Sequence, residues 1–263
     1  MGRVSGIHST EVGDGDADRR VVFLHGLFGQ GRNFTGIAKA LQPDLSSVLV
    51  DLPHHGRSEW TDSVAYEDLA DEVADWWRAT YDGAPAHLVG HSMGGKTAMV
   101  LALRHPDLVR RLVVVDIAPA PSEGAGEFEH LLDSLATVDL GALERRGDAD
   151  DQLREKIPDE RVRGFLLQNL RHTSEGWRWQ ANLDLLRSEL STIGGFPEID
   201  ATFDHPTLWM AGERSGYVGE EHEEQMRRLF PRTTTVTVKG AGHWVHSEQP
   251  EAFVSALRVF LRG

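Results

Sequence analysis

Short apolar segments recur along this chain with helix patterns between them, and this alternation leaves few folds open. The segments are RVVFLHG (20–26), SVLVD (47–51), AHLVG (86–90), LVVVD (112–116), TLWMAG (207–212) and TTTVTVKG (233–240). Each is a continuous apolar run, which is typical of strands buried on both faces of a parallel sheet. Strands that alternate with helices imply right-handed crossovers. The sequence therefore predicts an α/β fold with a mostly parallel central sheet and helices on both faces.

Two regions depart from this alternation. The start of the chain, up to the segment at 20–26, reads as a strand, a Gly/Asp turn and a second strand, which predicts an antiparallel hairpin at one sheet edge. Between residues 119 and 203 no strand run occurs, and the patterns all predict helices. We therefore expect a core formed by residues 1–118 and 204–263, with 119–203 as a small helical cap over the carboxyl edge of the sheet.

Composition limits the compartment and the partners. The 263 residues include no cysteine, which excludes disulfides, thiolate metal sites and a cysteine nucleophile. The net charge of −14 repels nucleic acid and anionic membranes, so we expect neither as a partner. The first residues lack the apolar core of a signal peptide, and no apolar run reaches the roughly 20 residues that span a bilayer. These features predict a cytoplasmic protein.

A candidate nucleophile lies in GHSMG (90–94), which follows one apolar segment and precedes a helix pattern. A G-x-S-x-G pattern between a strand and a helix is typical of a nucleophile elbow, which exposes the Ser92 hydroxyl above the sheet. A serine needs a base to accept its proton. Of the 13 histidines, His243 follows the last predicted strand and precedes the terminal helix, which predicts that it is this base. His246 is expected to be structural.

The acid that orients the base is harder to assign. In many such folds it follows the penultimate strand as G-x-x-D, but here that slot holds Ser215. Asp116 closes the strand that follows the elbow and would lie at the same edge of the sheet. We predict Asp116 as the acid, and Glu213 as the alternative because it lies two residues before the empty slot.

Backbone and aromatic groups complete the expected site. Two N–H donors must stabilise the oxyanion of an acyl-transfer reaction. We predict the N–H groups of Met93, which follows the nucleophile, and of Leu27 in HGLFG, with that of Phe28 as the alternative. The expected substrate contacts are Phe28, Trp177, Trp179, Asn182 and Trp244.

DLPHHGRS (51–58) places two histidines beside Asp51, but a metal site needs three or four converging ligands. No cluster with such spacing occurs elsewhere in the sequence. We therefore interpret this segment as a structural loop, and we expect neither a metal nor a cofactor. Lys96, one helical turn after Ser92, is expected to be structural too.

The motifs HGLFG, DLPHHGRS, GHSMGGKTAM, VVVDIAP and GAGHWVHSEQPEAF together resemble the α/β-hydrolase superfamily, and more narrowly its small YbfF-type serine esterases and their mitochondrial relatives. The resemblance runs from about residue 20 to the C-terminus and is loose through the cap. The broad family takes its acid from G-x-x-D, and this sequence departs from that pattern. The narrower resemblance implies that the aspartate of DIAP, Asp116, is the acid.

We therefore expect a serine carboxylesterase that hydrolyses short-to-medium acyl esters through an acyl-enzyme intermediate. Its partner would be a small-molecule ester, and its state a monomer or homodimer. The same residues also suit a thioesterase, a C–C bond hydrolase or a perhydrolase. A ligand-binding homologue without catalysis is the more distant alternative.

Overall fold

A computed structural model describes residues 6–15, 17–122 and 125–262, and its main feature is a seven-stranded sheet. The strands of these residues are β1 (Ser9–Val12), β2 (Arg20–Leu24), β3 (Ser46–Val50), β4 (Ala86–His91), β5 (Val109–Val115), β6 (Leu170–Thr173), β7 (Gly176–Trp179), β8 (Thr207–Gly212) and β9 (Thr233–Val238). The sheet has the order β1-β3-β2-β4-β5-β8-β9, while β6 and β7 pair separately. Apart from β1, neighbouring strands of the sheet are parallel. This confirms the predicted α/β fold.

Helices cover both faces of the sheet. Those in the described residues are α1 (Thr35–Leu41), α2 (Tyr66–Tyr81), α3 (Met93–Arg104), α4 (Ala125–Ala136), α5 (Arg146–Leu153), α6 (Glu160–Leu166), α7 (Leu183–Ser188), α8 (Leu190–Gly194), α9 (Glu223–Leu229), α10 (Val245–Glu248) and α11 (Pro250–Arg262). Val22 and Leu24 of β2 pack into the apolar cluster that contains α2 and α3. Val21 and Phe23 pack into the cluster that contains α1 and α11. Because successive strand residues face opposite clusters, the strand has to be apolar throughout.

The edges of the sheet differ from the prediction. β1 pairs with β3, with Ser9 opposite Val50, and not with β2 as a hairpin would require. The predicted hairpin is therefore wrong, because β2 already has β3 and β4 as its two neighbours. β9 forms the opposite edge, and most of its residues are exposed, although its sequence predicted burial on both faces.

An insertion formed by residues 119–203 joins β5 to β8; we call these residues the insertion. It contains α4 to α8, but also the antiparallel hairpin of β6 and β7, so the prediction of an all-helical segment is wrong. The signal lay in TSEGWRW, where Gly176 takes a φ of 109° at the turn, and two tryptophans alternate along the following strand. Leu132 and Leu135 of α4 belong to the same apolar cluster as Phe28 and Met93 of the core. The insertion therefore packs on the side of the molecule where the parallel strands end.

In the part of the chain that the structure describes, no helix is long and apolar enough to cross a membrane.

Candidate active site

Ser92 lies in the sharp turn between β4 and α3. Its backbone has φ 53° and ψ −120°, a conformation that costs a residue with a side chain about 1–3 kcal/mol. Glycines make the turn possible: a Cβ at Gly90 would lie 2.2 Å from the Gly94 carbonyl oxygen, and a Cβ at Gly94 would lie 2.4 Å from that of His25. This strained turn is the geometry of a nucleophile elbow.

The structure brings Ser92, His243 and Asp116 together in one hydrogen-bonded chain. The Ser92 Oγ lies 3.0 Å from the His243 Nε2, and the His243 Nδ1 lies 2.8 Å from the Asp116 Oδ2. Each residue follows the carboxyl end of a parallel strand: Ser92 follows β4, Asp116 follows β5 and His243 follows β9. The three side chains meet because these ends share one edge of the sheet.

The Asp116 carboxylate is fully buried and depends on hydrogen bonds in place of water. The Gly212 N–H donates to its Oδ1 at 2.8 Å, and the Ser215 hydroxyl donates to its Oδ2. Asp116 also has a left-handed φ of 52°. Ser215 occupies the slot that G-x-x-D enzymes fill with their acid. Sequence reasoning treated this slot as empty, whereas the structure fills it with a donor to the acid.

Glu213, the alternative acid, is exposed and turned elsewhere. Its Oε2 accepts a hydrogen bond from the Gly240 N–H at 2.9 Å. Since the His243 Nδ1 already contacts Asp116, the alternative is wrong.

The predicted oxyanion donors lie beside the serine. Leu27 and Met93 line one cavity together with Ser92. Met93 is the first residue of α3, so its N–H has no acceptor within the helix. The Phe28 N–H donates to His55 Nε2 at 3.3 Å, whereas that of Leu27 has no acceptor among the described residues. The hydrogen bonding therefore favours Leu27 over Phe28, and the donor role stays a prediction.

Two histidines brace the loop that carries Leu27. His25 donates through Nδ1 to the Gly26 carbonyl at 2.8 Å and accepts the Leu52 N–H at Nε2. His55 donates to the Pro53 carbonyl at 3.0 Å while accepting the Phe28 N–H. Burial lowers the pKa of His25 to about 4 and that of His55 to about 3, so both are neutral near pH 7. These contacts give the 51–58 loop the structural role expected of it.

His91 and His246 pack around the candidate base. His91 donates through Nε2 to the His243 carbonyl at 2.8 Å, which ties the end of β4 to the loop after β9. Burial lowers the pKa of His91 well below its usual value and that of His246 to about 4, and the nearby His243 lowers both further. His91 was missed by sequence reasoning, although it is the second residue of G-x-S-x-G.

Two cavities meet at Ser92. The first, of about 30 Å³, is lined by His243, Trp244 and apolar side chains of α4 and α6. The second, of about 40 Å³, is lined by Met93, Lys96, Tyr217 and residues of α8. An open groove, lined by His243, Trp244 and part of α6, leads from the first cavity to the surface. Each cavity has the sheet on one side and the insertion on the other.

Lys96 and Tyr217 are further parts of the second cavity. The Lys96 ammonium donates to the Gly194 and Gly195 carbonyls at 2.7 Å each, and burial lowers its pKa to about 7. The Tyr217 ring lies 4.2 Å from the His243 ring, centroid to centroid. Lys96 therefore joins α3 to the end of α8, in agreement with the expected structural role, whereas Tyr217 was not predicted.

The predicted substrate contacts divide into two groups. Phe28 and Trp244 line the first cavity. Trp177, Trp179 and Asn182 line neither cavity, so the structure does not bring these three predicted contacts to Ser92. The cause is the unpredicted hairpin: both tryptophans lie on β7, and the Asn182 side chain caps α7 by accepting the Leu185 N–H.

A strained elbow serine, with an imidazole and a carboxylate in line behind it at the carboxyl edge of a parallel sheet, is the arrangement of serine hydrolases. The model of the family described as alpha/beta hydrolase fold matches residues 19–250. The chain belongs to this α/β-hydrolase family.

Similar proteins support the same class. The chain is 39% identical over 255 residues to the mouse (Mus musculus) sn-1-specific diacylglycerol lipase ABHD11, covering 94% of this chain and 83% of the relative. It is 32% identical over 241 residues to the esterase YbfF of Escherichia coli, covering 92% of each. A solved structure of a marine microorganism esterase superposes with a TM-score of 0.92 at 31% identity, covering 97% of this chain and 99% of the other. The chain is thus an enzyme of the esterase and lipase class.

Proposed function

We propose that the chain is a serine carboxylesterase in which Ser92 is the nucleophile, His243 the base and Asp116 the group that orients the base. The observation that carries this proposal is the unbroken chain of hydrogen bonds from Ser92 through His243 to the buried Asp116. The Leu27 and Met93 N–H groups beside the serine supply the oxyanion site that an acyl transfer requires.

The reaction follows from this geometry. The His243 Nε2 takes the Ser92 proton while Oγ attacks the ester carbonyl, and the N–H groups of Leu27 and Met93 stabilise the tetrahedral oxyanion. His243 then gives the proton to the leaving alcohol oxygen, which leaves an acyl-serine. A water molecule, deprotonated by His243, attacks this acyl-enzyme and releases the carboxylic acid and the free serine. No step requires a metal or cofactor.

The two cavities support different roles for the two halves of the ester. His243 has to protonate the leaving oxygen and lines the first cavity but not the second, so the alcohol occupies the first cavity. The acyl chain then extends into the second cavity, which Tyr66, Lys96 and α8 close. A small cavity with these walls limits the length of the acyl chain, which favours short-to-medium chains. The open groove next to the first cavity allows a larger alcohol.

The proposal is tested with nitrophenyl esters of increasing acyl length on the wild type and on Ser92→Ala. We expect the variant to lose about 10⁴-fold or more in kcat, since removal of a triad nucleophile has effects of this order. Ser188→Ala, an exposed serine on α7, is the matched control and should keep full activity.

Labelling with a fluorophosphonate checks the nucleophile independently, because it should mark the wild type and not Ser92→Ala. Retention of more than a few per cent of the activity by Ser92→Ala would refute the assignment. Faster turnover of acyl thioesters or β-diketones than of esters would keep the three residues and change the substrate class.

A further inference from the structure

A second concave surface lies away from Ser92. It is formed by the loop at 56–60, by the end of α4 with the residues that follow it, and by β7 with the residues that lead into α7. None of its lining residues lines either cavity at Ser92 or the open groove. We call it the Trp60 groove. Trp179 and Asn182, which sequence reasoning placed at the active site, both lie here.

One part of the Trp60 groove is apolar. Trp60 is 53% exposed, which is unusual for so large an apolar side chain in the described part of the molecule. Trp179, Val138 and Leu140 continue the apolar surface within the same concavity. An exposed tryptophan beside further apolar side chains is typical of a binding surface and not of a solvated loop.

The other part of the Trp60 groove is positively charged. Arg57 and Arg178 line it, both are exposed, and neither forms an ion pair among the described residues. These two guanidinium groups give the groove a local positive charge in a chain whose net charge is −14.

Three further arginines lie near Arg178, on or beside the hairpin of β6 and β7. Arg171 lies opposite Arg178 in the β6–β7 register, which puts both side chains on the same face of the hairpin. Arg32 and Arg146 donate to the carbonyls of Gln168 and Leu170, at the start of the same hairpin. Partial burial, followed by the charges of Arg171 and Arg146, lowers the pKa of Arg32. The positive charge thus extends from the groove across the hairpin, with Asp184 as a carboxylate on the groove wall.

We propose that the Trp60 groove binds a single-chain amphipathic anion, with its phosphate or carboxylate group on Arg57 and Arg178 and its hydrocarbon chain against Trp60 and Trp179. Guanidinium groups bind such oxyanions through paired hydrogen bonds. The apolar and cationic parts lie in one concavity, which suits one molecule. An anionic membrane would instead meet the acidic remainder of the surface, which repels it.

The test is calorimetric binding of dodecyl phosphate to the full chain, below the concentration at which this amphiphile forms micelles. Arg57→Gln and Arg178→Gln should each weaken binding at least tenfold, and Trp60→Ala should weaken it about fivefold. All three side chains are at the surface, so the variants should fold as the wild type does. Arg227→Gln, which removes an exposed arginine paired with Glu223 on α9, is the matched control and should leave binding unchanged.

Asp184→Asn should change the affinity for dodecyl phosphate in the opposite direction. It removes a negative charge from the groove wall, so we expect dodecyl phosphate to bind about threefold more tightly at low salt. Inorganic phosphate alone and dodecanol alone should each bind at least tenfold more weakly than dodecyl phosphate, because each supplies only half of the ligand.

Several results would overturn the proposal. These are no binding of dodecyl phosphate by the wild type, binding that Arg57→Gln and Arg178→Gln leave unchanged, or inorganic phosphate binding as tightly as dodecyl phosphate. Binding to phosphatidylglycerol vesicles without binding of the single amphiphile would replace the ligand with a membrane surface. None of these outcomes depends on the activity of Ser92.

Discussion

The two sides of the Ser92 cavities are built differently. On the sheet side, polar groups are fixed by several hydrogen bonds each: Asp116 accepts from Gly212, Ser215 and His243. On the insertion side, the walls are apolar side chains on short helices, such as Phe165 on α6 and Ile193 on α8. The sheet side therefore holds individual polar atoms in place through hydrogen bonds, whereas the insertion side determines only the size and shape of the cavities.

This difference predicts a division of labour. A change on the sheet side should affect the rate of the chemical step, because that step depends on the alignment of a few atoms. A change on the insertion side should affect which ester is preferred, because apolar walls discriminate by size. Substitutions on each side test this division.

The largest effect is expected for Asp116→Asn. The amide still fits the site but favours the wrong tautomer of His243, so kcat should fall about 10⁴-fold with KM little changed. Steady-state kinetics on one nitrophenyl ester measures this. Glu213→Gln is the matched control and should keep wild-type kinetics, since Glu213 contacts the Gly240 N–H and not the imidazole. Equal losses in the two variants would contradict the assignment of the acid.

Lys96→Met tests the polar contact by which α3 holds the end of α8. Burial lowers the pKa of Lys96 to about 7, against 10.5 in the unfolded chain. Between these values the unfolded chain binds a proton that the folded chain lacks, so this group makes the folded state more stable as pH rises. The free energy of unfolding of the wild type should rise by about 2 kcal/mol relative to Lys96→Met between pH 7 and pH 9.

Denaturant unfolding at the two pH values measures the change. Lys39→Met on α1 replaces an exposed lysine and should show the pH dependence of the wild type. A constant difference between the wild type and Lys96→Met at both pH values would show that Lys96 stays charged in the folded protein.

Ser215→Ala removes one donor to Asp116 and should lower kcat about tenfold at unchanged KM. A hydrogen bond to a charged group contributes about 1.5–3 kcal/mol, and the Gly212 N–H retains part of it. Ser215→Thr keeps the hydroxyl and should restore most of the rate, which a purely structural role of Ser215 would not predict. A fall in stability with no change in kcat would contradict a positioning role.

The sequence predicted the sheet side well because strand ends leave little freedom. Ser92, Asp116 and His243 each follow a continuous apolar run, and such runs end at one edge of a parallel sheet. The role of Ser215 was not predicted, because a serine in the G-x-x-D motif was interpreted only as the lack of an acid at that position. The compensating hydrogen bond joins residues 99 positions apart and leaves no local pattern.

The insertion was predicted less well, since no repeating architecture limits it. Trp177 and Trp179 were placed at the site on composition, but they lie on β7 of the unpredicted hairpin and line neither cavity at Ser92. Phe128 of α4 and Phe165 of α6, which do line the first cavity, look in the sequence like ordinary core residues of amphipathic helices. Whether such a residue lines the cavity or lies in the core depends on how its helix packs against the sheet, and the sequence alone does not show this packing.

The smallest effect, and the sharpest test of the division of labour, is expected for a pair of apolar truncations on the insertion. Ile193→Ala enlarges the second cavity and should shift the preference between octanoyl and butanoyl nitrophenyl esters about fivefold in favour of octanoyl. Such a shift is near the lower end of the discrimination that a single apolar contact in a pocket gives. Val162→Ala enlarges the first cavity, so it should leave that acyl ratio unchanged and raise kcat/KM for butanoates of bulkier alcohols. If Val162→Ala changed the acyl ratio and Ile193→Ala the alcohol preference, the two halves of the ester would occupy the opposite cavities. His243 would then have to protonate a leaving oxygen from the side of the acyl chain, which its position in the first cavity does not favour.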